Sequence, residues 1–217
     1  MRSSILAAGA ALLAASPVGS EVVDSSATHF VTRDSATVPK GPTEVWLALI
    51  SPGKWWSDEH SWSGDAANMT LTPQGGGCLC ERIPGEESAS TVGLAGSALH
   101  MTVVQANPQK VLRLRGGLGP LQSEPVDGVL TITLKPVDGG TEIVWEYVVG
   151  GTMRYEVPVI SKAVDGVMSQ QLSGLATFLG GDRAAPSPDP MPEPEPAEAT
   201  ESVEDAFQDM AEPGEGR

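Results

Sequence analysis

Few side chains in this 217-residue chain are of a type and spacing to do chemistry. His60 follows Asp58 and Glu59 in a segment that also carries Trp55, Trp56 and Trp62. A carboxylate beside an imidazole can orient it as a general base. Consecutive residues rarely face one another, however, and such a charged cluster is also what a solvated loop looks like. Trp145 and Tyr147 share one side of an alternating segment with Ile143, so an indole and a phenol there would either line a cavity or pack as aromatic core. An enzyme would draw on His60, Tyr147 and Glu146, provided that two of them converge. Arg113 and Arg115 alternate with leucines and are expected outward; turned inward, they would imply an anionic ligand. There is no Gly-rich phosphate loop, Ser-His-Asp order or zinc-protease spacing, so no catalytic residue is assigned and no cofactor or metal is expected.

Cys78 and Cys80 are the two cysteines. Two apart on an expected strand, they leave the same face. A disulfide needs a Cβ separation of about 3.8 Å, whereas same-face strand neighbours lie about 7 Å apart. Free buried thiols are therefore expected, a disulfide requires a bulge, and a metal would need further ligands such as His60 or His100. If Leu99, Met101 and Val103 form the core face of their strand, His100 points outward.

The elements that must position these residues read clearly. Residues 26–38 alternate as a first strand. Gly41-Pro42-Thr43 then opens a helix whose apolar stripe is Val45, Trp46, Leu49 and Ile50, and Ser51-Pro52-Gly53 stops it. Residues 54–68 are irregular, 69–73 a short strand, and 78–83 the return of a hairpin across Gly75-Gly76-Gly77. Four more strands follow at 98–106, 111–115, 128–136 and 141–150, in an antiparallel sheet with one apolar and one wetter face. A long amphipathic helix over 157–179 carries Ile160, Val164, Val167, Met168, Leu172, Leu175 and Leu179 on one side and stops at Gly180-Gly181. Gly166 and Gly174 inside it each cost about 1 kcal/mol of helix propensity, which close backbone approach would explain.

The two ends differ from this middle. Residues 1–20 pair a basic start with a short apolar run and small residues at Val18-Gly19-Ser20, the pattern of a signal peptide cut after Ser20. The run is shorter than the about 20 apolar residues that span a bilayer, so no transmembrane segment is expected in the mature form. Residues 182–217 are acidic and Pro-rich and are expected to be a disordered tail. The chain carries a net charge of -15, made of -9 in the tail, -7 in residues 21–181 and +1 in residues 1–20. A negative domain argues against a nucleic-acid surface. In the tail, Val203, Ala206, Phe207 and Met210 fall at helical spacing and suggest a docking element for a protein partner, although so short an isolated helix is marginal in water.

Taken together, the Pro-Thr-Glu-Val-Trp helix opening, the Lys54-Trp55-Trp56 turn, the Gly-Gly-Gly-Cys-Leu-Cys-Glu hairpin and the long closing helix resemble the SRPBCC superfamily, the START-like, polyketide cyclase/dehydrase-like helix-grip group. The resemblance covers most of residues 26–180. It implies an α+β fold: a curved antiparallel sheet of about seven strands wrapped round the C-terminal helix, with two short helices after the first strand completing a hydrophobic cavity. The group's activities are broad, so the fold leaves the activity open.

The expected function is an exported carrier or binding protein, periplasmic or secreted, for a small apolar molecule. Cavity candidates are Trp55, Trp56, Trp62, Ile143, Trp145, Tyr147, Val164, Met168 and Leu172. The alternatives are a cyclase/dehydrase-like or hydrolase-like enzyme in the same cavity, and an interaction protein that docks through its tail.

Overall fold

The computed structural model describes residues 21–85 and 92–181; the signal segment and the acidic tail of the sequence reading lie outside them. Eight strands form one antiparallel sheet: β1 Glu21–Ser25, β2 His29–Val38, β3 Met69–Leu71, β4 Cys78–Ile83, β5 Gly96–Asn107, β6 Val111–Arg115, β7 Val126–Val137 and β8 Gly140–Gly151. Two α-helices accompany them, α1 Pro42–Leu49 and α2 Val157–Phe178, with 3-10 turns at Pro52–Lys54, Asp58–His60, Ala66–Asn68 and Gly119–Ser123. The α+β helix-grip expectation is therefore met, with one strand more than the resemblance implied. The extra strand is β1, which pairs with the outer edge of β2. Four of its five residues are exposed, so it has no buried period to read.

Strand order is β1-β2-β8-β7-β6-β5-β4-β3. From β3 onward the chain meanders, and β8 returns to pair with β2 from His29↔Gly150 to Val38↔Thr141. Leaving β2, the chain must therefore reach β3 at the far edge before the meander begins. It does so through α1 and residues 50–68, and this traverse is what later forms one wall of a cavity.

Alternation supplies the inner face. Phe30 and Val38 of β2, Leu130, Ile132 and Leu134 of β7, and Ile143, Trp145 and Tyr147 of β8 are all buried there, together with Leu112 and Leu114 of β6. Opposite them lie Ile160, Val164, Met168, Leu172 and Leu175 of α2 and Val45, Trp46 and Leu49 of α1. Helix α1 starts as its sequence dictates, with Gly41 at the N-cap and Pro42 in the first turn. Helix α2 ends where Gly180 takes φ +80, a left-handed conformation that glycine adopts without a Cβ penalty.

Two expectations fail on the neighbouring strands β4 and β5. Their pairing slips between Leu79↔Met101 and Cys80↔Leu99, leaving His100 as the extra residue of a β-bulge. The slip breaks the parity of β5. Leu99 is 59% exposed and His100 only 5%, so His100 turns inward, the reverse of the sequence reading. On the outer face of the same slip Cys78 and Cys80 form a disulfide, their Cα atoms 5.4 Å apart, in place of the expected free thiols. The separation is shorter than the about 7 Å of a regular strand.

Gly174 has a packing reason. A Cβ at this position would lie 2.5 Å from the backbone oxygen of Trp55, so the helix admits the Trp-bearing loop only where it lacks a side chain. Gly174→Ala should destabilise the fold by about 1–3 kcal/mol through overpacking, even though alanine favours a helix by about 1 kcal/mol. Denaturant or thermal unfolding checks this; an unchanged or raised midpoint contradicts the close-approach argument.

Candidate functional site

Residues 50–68 run across the sheet without joining a ladder, so their backbone N–H groups need other acceptors. Turn carbonyls take several of them, as from Lys54 N to Ser51 O and from His60 N to Ser57 O, and side chains take others. Asp58 Oδ1 accepts from Ala66 N at 2.7 Å, and Asp65 Oδ1 from Ala67 N at 2.9 Å. Glu81 of β4, 1% exposed, accepts from Trp62 N at 3.0 Å and Ser63 N at 2.6 Å. The third partner of Glu81 is His100 Nε2 at 2.8 Å, which the β5 bulge delivers. Burial alone would push the Glu81 carboxyl up; the hydrogen bonds from Ser63, Trp62 and His100 outweigh it and hold the group below its ordinary value, as a carboxylate.

From the other side, α2 reaches the loop with Gln171, which is fully buried. Its Oε1 accepts from Ser57 N at 2.9 Å, so its Nε2 is left to donate to His60 Nδ1 at 2.8 Å. His60 therefore keeps its proton on Nε2. Burial lowers its pKa from 6.5, against the opposing pull of the Glu59 charge, and the ring is neutral. The same logic fixes His100. Gln122 Oε1 accepts from Trp62 Nε1 at 3.1 Å, and its Nε2 faces His100 Nδ1 at 3.2 Å. With Nδ1 accepting, His100 donates from Nε2 to Glu81.

These bonds suspend the loop above the helix and leave a cavity of about 190 Å³ between them. Its walls are Trp56 and Trp62 from the loop, Leu118 and Pro120 from the β6–β7 connection, and Val164, Val167 and Met168 from α2, with His60 and His100 at its polar side and Glu59 at the rim. Trp62 is 55% exposed and stands at the mouth. The three loop indoles are all anchored: Trp55 Nε1 donates to Ala48 O at 2.8 Å, Trp56 Nε1 to His60 O at 2.9 Å, and Trp62 Nε1 to Gln122.

Of the sequence candidates, Trp56, Trp62, Val164 and Met168 meet in this cavity. Trp55 and Trp145 instead line a separate void of about 20 Å³ deeper in the core. Ile143 and Leu172 are fully buried core residues that line neither space. Tyr147 also lies in the core: its hydroxyl donates to Gly116 O at 2.9 Å and accepts from Leu118 N at 3.2 Å. Burial pushes its pKa up further than the Leu118 bond lowers it, so the phenol stays neutral and fastens the connection that carries Leu118. Glu146 sits on the outer face, 3.8 Å from Arg33, and Arg115 pairs outside with Asp127. His60, Tyr147 and Glu146 are thus not brought together.

Sequence reasoning missed Gln171, His100, Leu118 and Pro120. Gln171 had a signal, a glutamine beside Leu172 on an otherwise apolar helix stripe. Among the described residues no group of three His, Cys, Asp or Glu side chains is placed to hold a metal, and no helix is long and apolar enough to cross a membrane.

A protein family described as polyketide cyclase / dehydrase and lipid transport matches residues 29–180. No curated protein matches the chain. Among solved structures, an uncharacterised protein from Rhizobium leguminosarum superposes with a TM-score of 0.50 at 21% identity, over 71% of this chain and 97% of its own. A protein from Rhodobacter sphaeroides gives 0.47 at 23% identity, over 74% and 97%. The first of these likenesses, at 21% identity, speaks to the fold alone.

The neutral His60 sets a pH dependence. Below its ordinary value of 6.5 the unfolded chain binds a proton that the folded chain resists, so stability is full above that pH and falls as pH drops toward the lowered value. The melting temperature of the wild type should decline between about pH 7 and about pH 5 more than that of His60→Gln, before the carboxylates titrate. Parallel curves for the two proteins contradict the assignment.

Proposed function

The chain belongs to the polyketide cyclase / dehydrase and lipid transport family, within the SRPBCC superfamily, and on that footing we propose that it binds and carries a compact apolar molecule in the cavity beneath its Trp-bearing loop. The observation that carries the proposal is the wall itself: two indoles, a methionine, two valines, a leucine and a proline around about 190 Å³, with His60, His100, Ser61 and Glu59 as the polar groups. Size then narrows the ligand. A cavity of about 150 Å³ takes up benzene, so this one suits a molecule of one or two rings rather than a diacyl lipid. A carrier is favoured over an enzyme because His60, Tyr147 and Glu146 point to three different places, and the His100–Glu81 pair is engaged in holding the loop.

A ring that buries about 150–250 Å² of apolar surface gains about 4–6 kcal/mol. That corresponds to a Kd between about 1 mM and tens of micromolar, before any polar contact is counted. Titration of intrinsic tryptophan fluorescence with indane or naphthalene should show saturable binding in that range, and Met168→Trp, which fills the cavity, should weaken it at least about 10-fold with the circular dichroism spectrum kept. Absence of saturation in the wild type, or full binding by a folded Met168→Trp, overturns the proposal.

We also place the protein outside the cytoplasm. The signal-peptide pattern of residues 1–20 supports this, as does the Cys78–Cys80 disulfide, since such bonds persist in oxidising compartments. Fractionation of the producing cell with N-terminal sequencing should find a mature chain starting at Glu21; a cytosolic chain that retains residues 1–20 contradicts it.

A further inference from the structure

Trp145 of β8 is 2% exposed, and its Nε1 is buried without any protein acceptor. Its ring meets Trp55 edge-on at 6.1 Å. The contrast with the loop is sharp, because Trp55, Trp56 and Trp62 each donate their indole N–H to an oxygen. A buried donor that forgoes its hydrogen bond is destabilising, and native structures keep few of them.

Trp145 borders the deep void of about 20 Å³, whose other walls include Leu79, Leu112, Leu114 and Ile132. These walls are almost wholly apolar. Room of this order holds one water-sized group, so it fits an oxygen atom and not a ring. One side chain is common to the walls of the deep void and the outer cavity: Trp56. It therefore borders both spaces, its ring tilted at 50° to Trp55 with centroids 5.6 Å apart and tethered through its N–H to His60 O.

We propose that the deep void is the polar end of the ligand site, where Trp145 Nε1 donates to a carbonyl oxygen carried by an otherwise apolar ring that occupies the outer cavity and displaces the Trp56 ring. This rests on the carrier reading and adds the ligand's chemical class, a compact cyclic ketone or a similar ring with one exposed acceptor. Selection comes from the donor. A hydrocarbon leaves Trp145 unpaired, whereas a ketone of the same shape satisfies it.

The test compares 1-indanone with indane, which match in shape, for binding to full-length wild type and to Trp145→Phe. Affinities are referred to each compound's partition from water into alkane, so that hydration of the carbonyl is removed. The wild type should favour the ketone by at least about 10-fold on that scale, because a hydrogen bond referred to an apolar medium exceeds its net value against water. Trp145→Phe should abolish the preference while indane binding stays within about 3-fold. A ketone preference that persists in Trp145→Phe, or equal binding of both compounds by the wild type, overturns the proposal and leaves the carrier reading standing. Failure of both compounds to bind removes the carrier reading as well. Should Trp145→Phe not fold, the indole N–H proton resonance of Trp145 in the wild type decides: it must move downfield with indanone and not with indane, and an unmoved resonance rejects the proposal.

Discussion

The mouth of this protein hangs on one buried carboxylate. Glu81 takes hydrogen bonds from Trp62 N, Ser63 N and His100 Nε2, and these tie a loop without ladder bonds to the inner face of the sheet. Burial would neutralise the group; three donors keep it charged. The geometry that supplies the third donor is the β5 bulge, which turns His100 inward. Removing one partner of such an arrangement leaves a charge or donor buried without compensation, which is more damaging than never having had it. The carboxylate therefore ties the sheet irregularity, the loop conformation and the position of Trp62 into one unit.

Helix α2 divides its inner side between two tasks. Gln171 and the bare backbone at Gly174 meet the loop, one by hydrogen bonding and one by yielding space. Val164, Val167 and Met168, one to two turns nearer the start of the helix, are left to face the cavity. The space exists because the loop is suspended by polar bonds at both sides and is not collapsed onto these side chains. Tyr147 extends the principle to the opposite wall, where its hydroxyl holds Gly116 and Leu118 from beneath. Cavity shape in this fold is thus set by hydrogen bonds made behind the apolar surface.

Much of this was legible in the chain. Period two on β2, β7 and β8, the Pro-led start of α1, the stripe of α2 and its Gly stop each reflect local sterics and burial, and those are written residue by residue. Element order then sufficed to bring Trp56, Trp62, Val164 and Met168 to one place. What failed depends on the neighbour strand. Parity predicted His100 outward and the cysteines apart; a one-residue slip against β4 reversed the first, and the bond between Cys78 and Cys80 contradicts the second. The edge strand β1 buries too little to leave a period. Tyr147 shares its face with Ile143 and Trp145 as expected, yet whether a phenol meets a ligand or a carbonyl depends on where a distant loop ends. Gln171 stood out only as a polar residue on an apolar stripe, and Gln122 gave no signal, because an amide's role is set by partners remote in sequence.

The central claim, a compact apolar ligand held between the Trp-bearing loop and α2, is tested most directly by the crystal structure of the protein grown with a brominated aromatic ring and recorded at the bromine edge. The account predicts one anomalous peak inside the cavity bounded by Trp56, Trp62, Val164 and Met168. Crystals that show this cavity without a peak at millimolar ligand, or with the peak on the outer face of the sheet, contradict it.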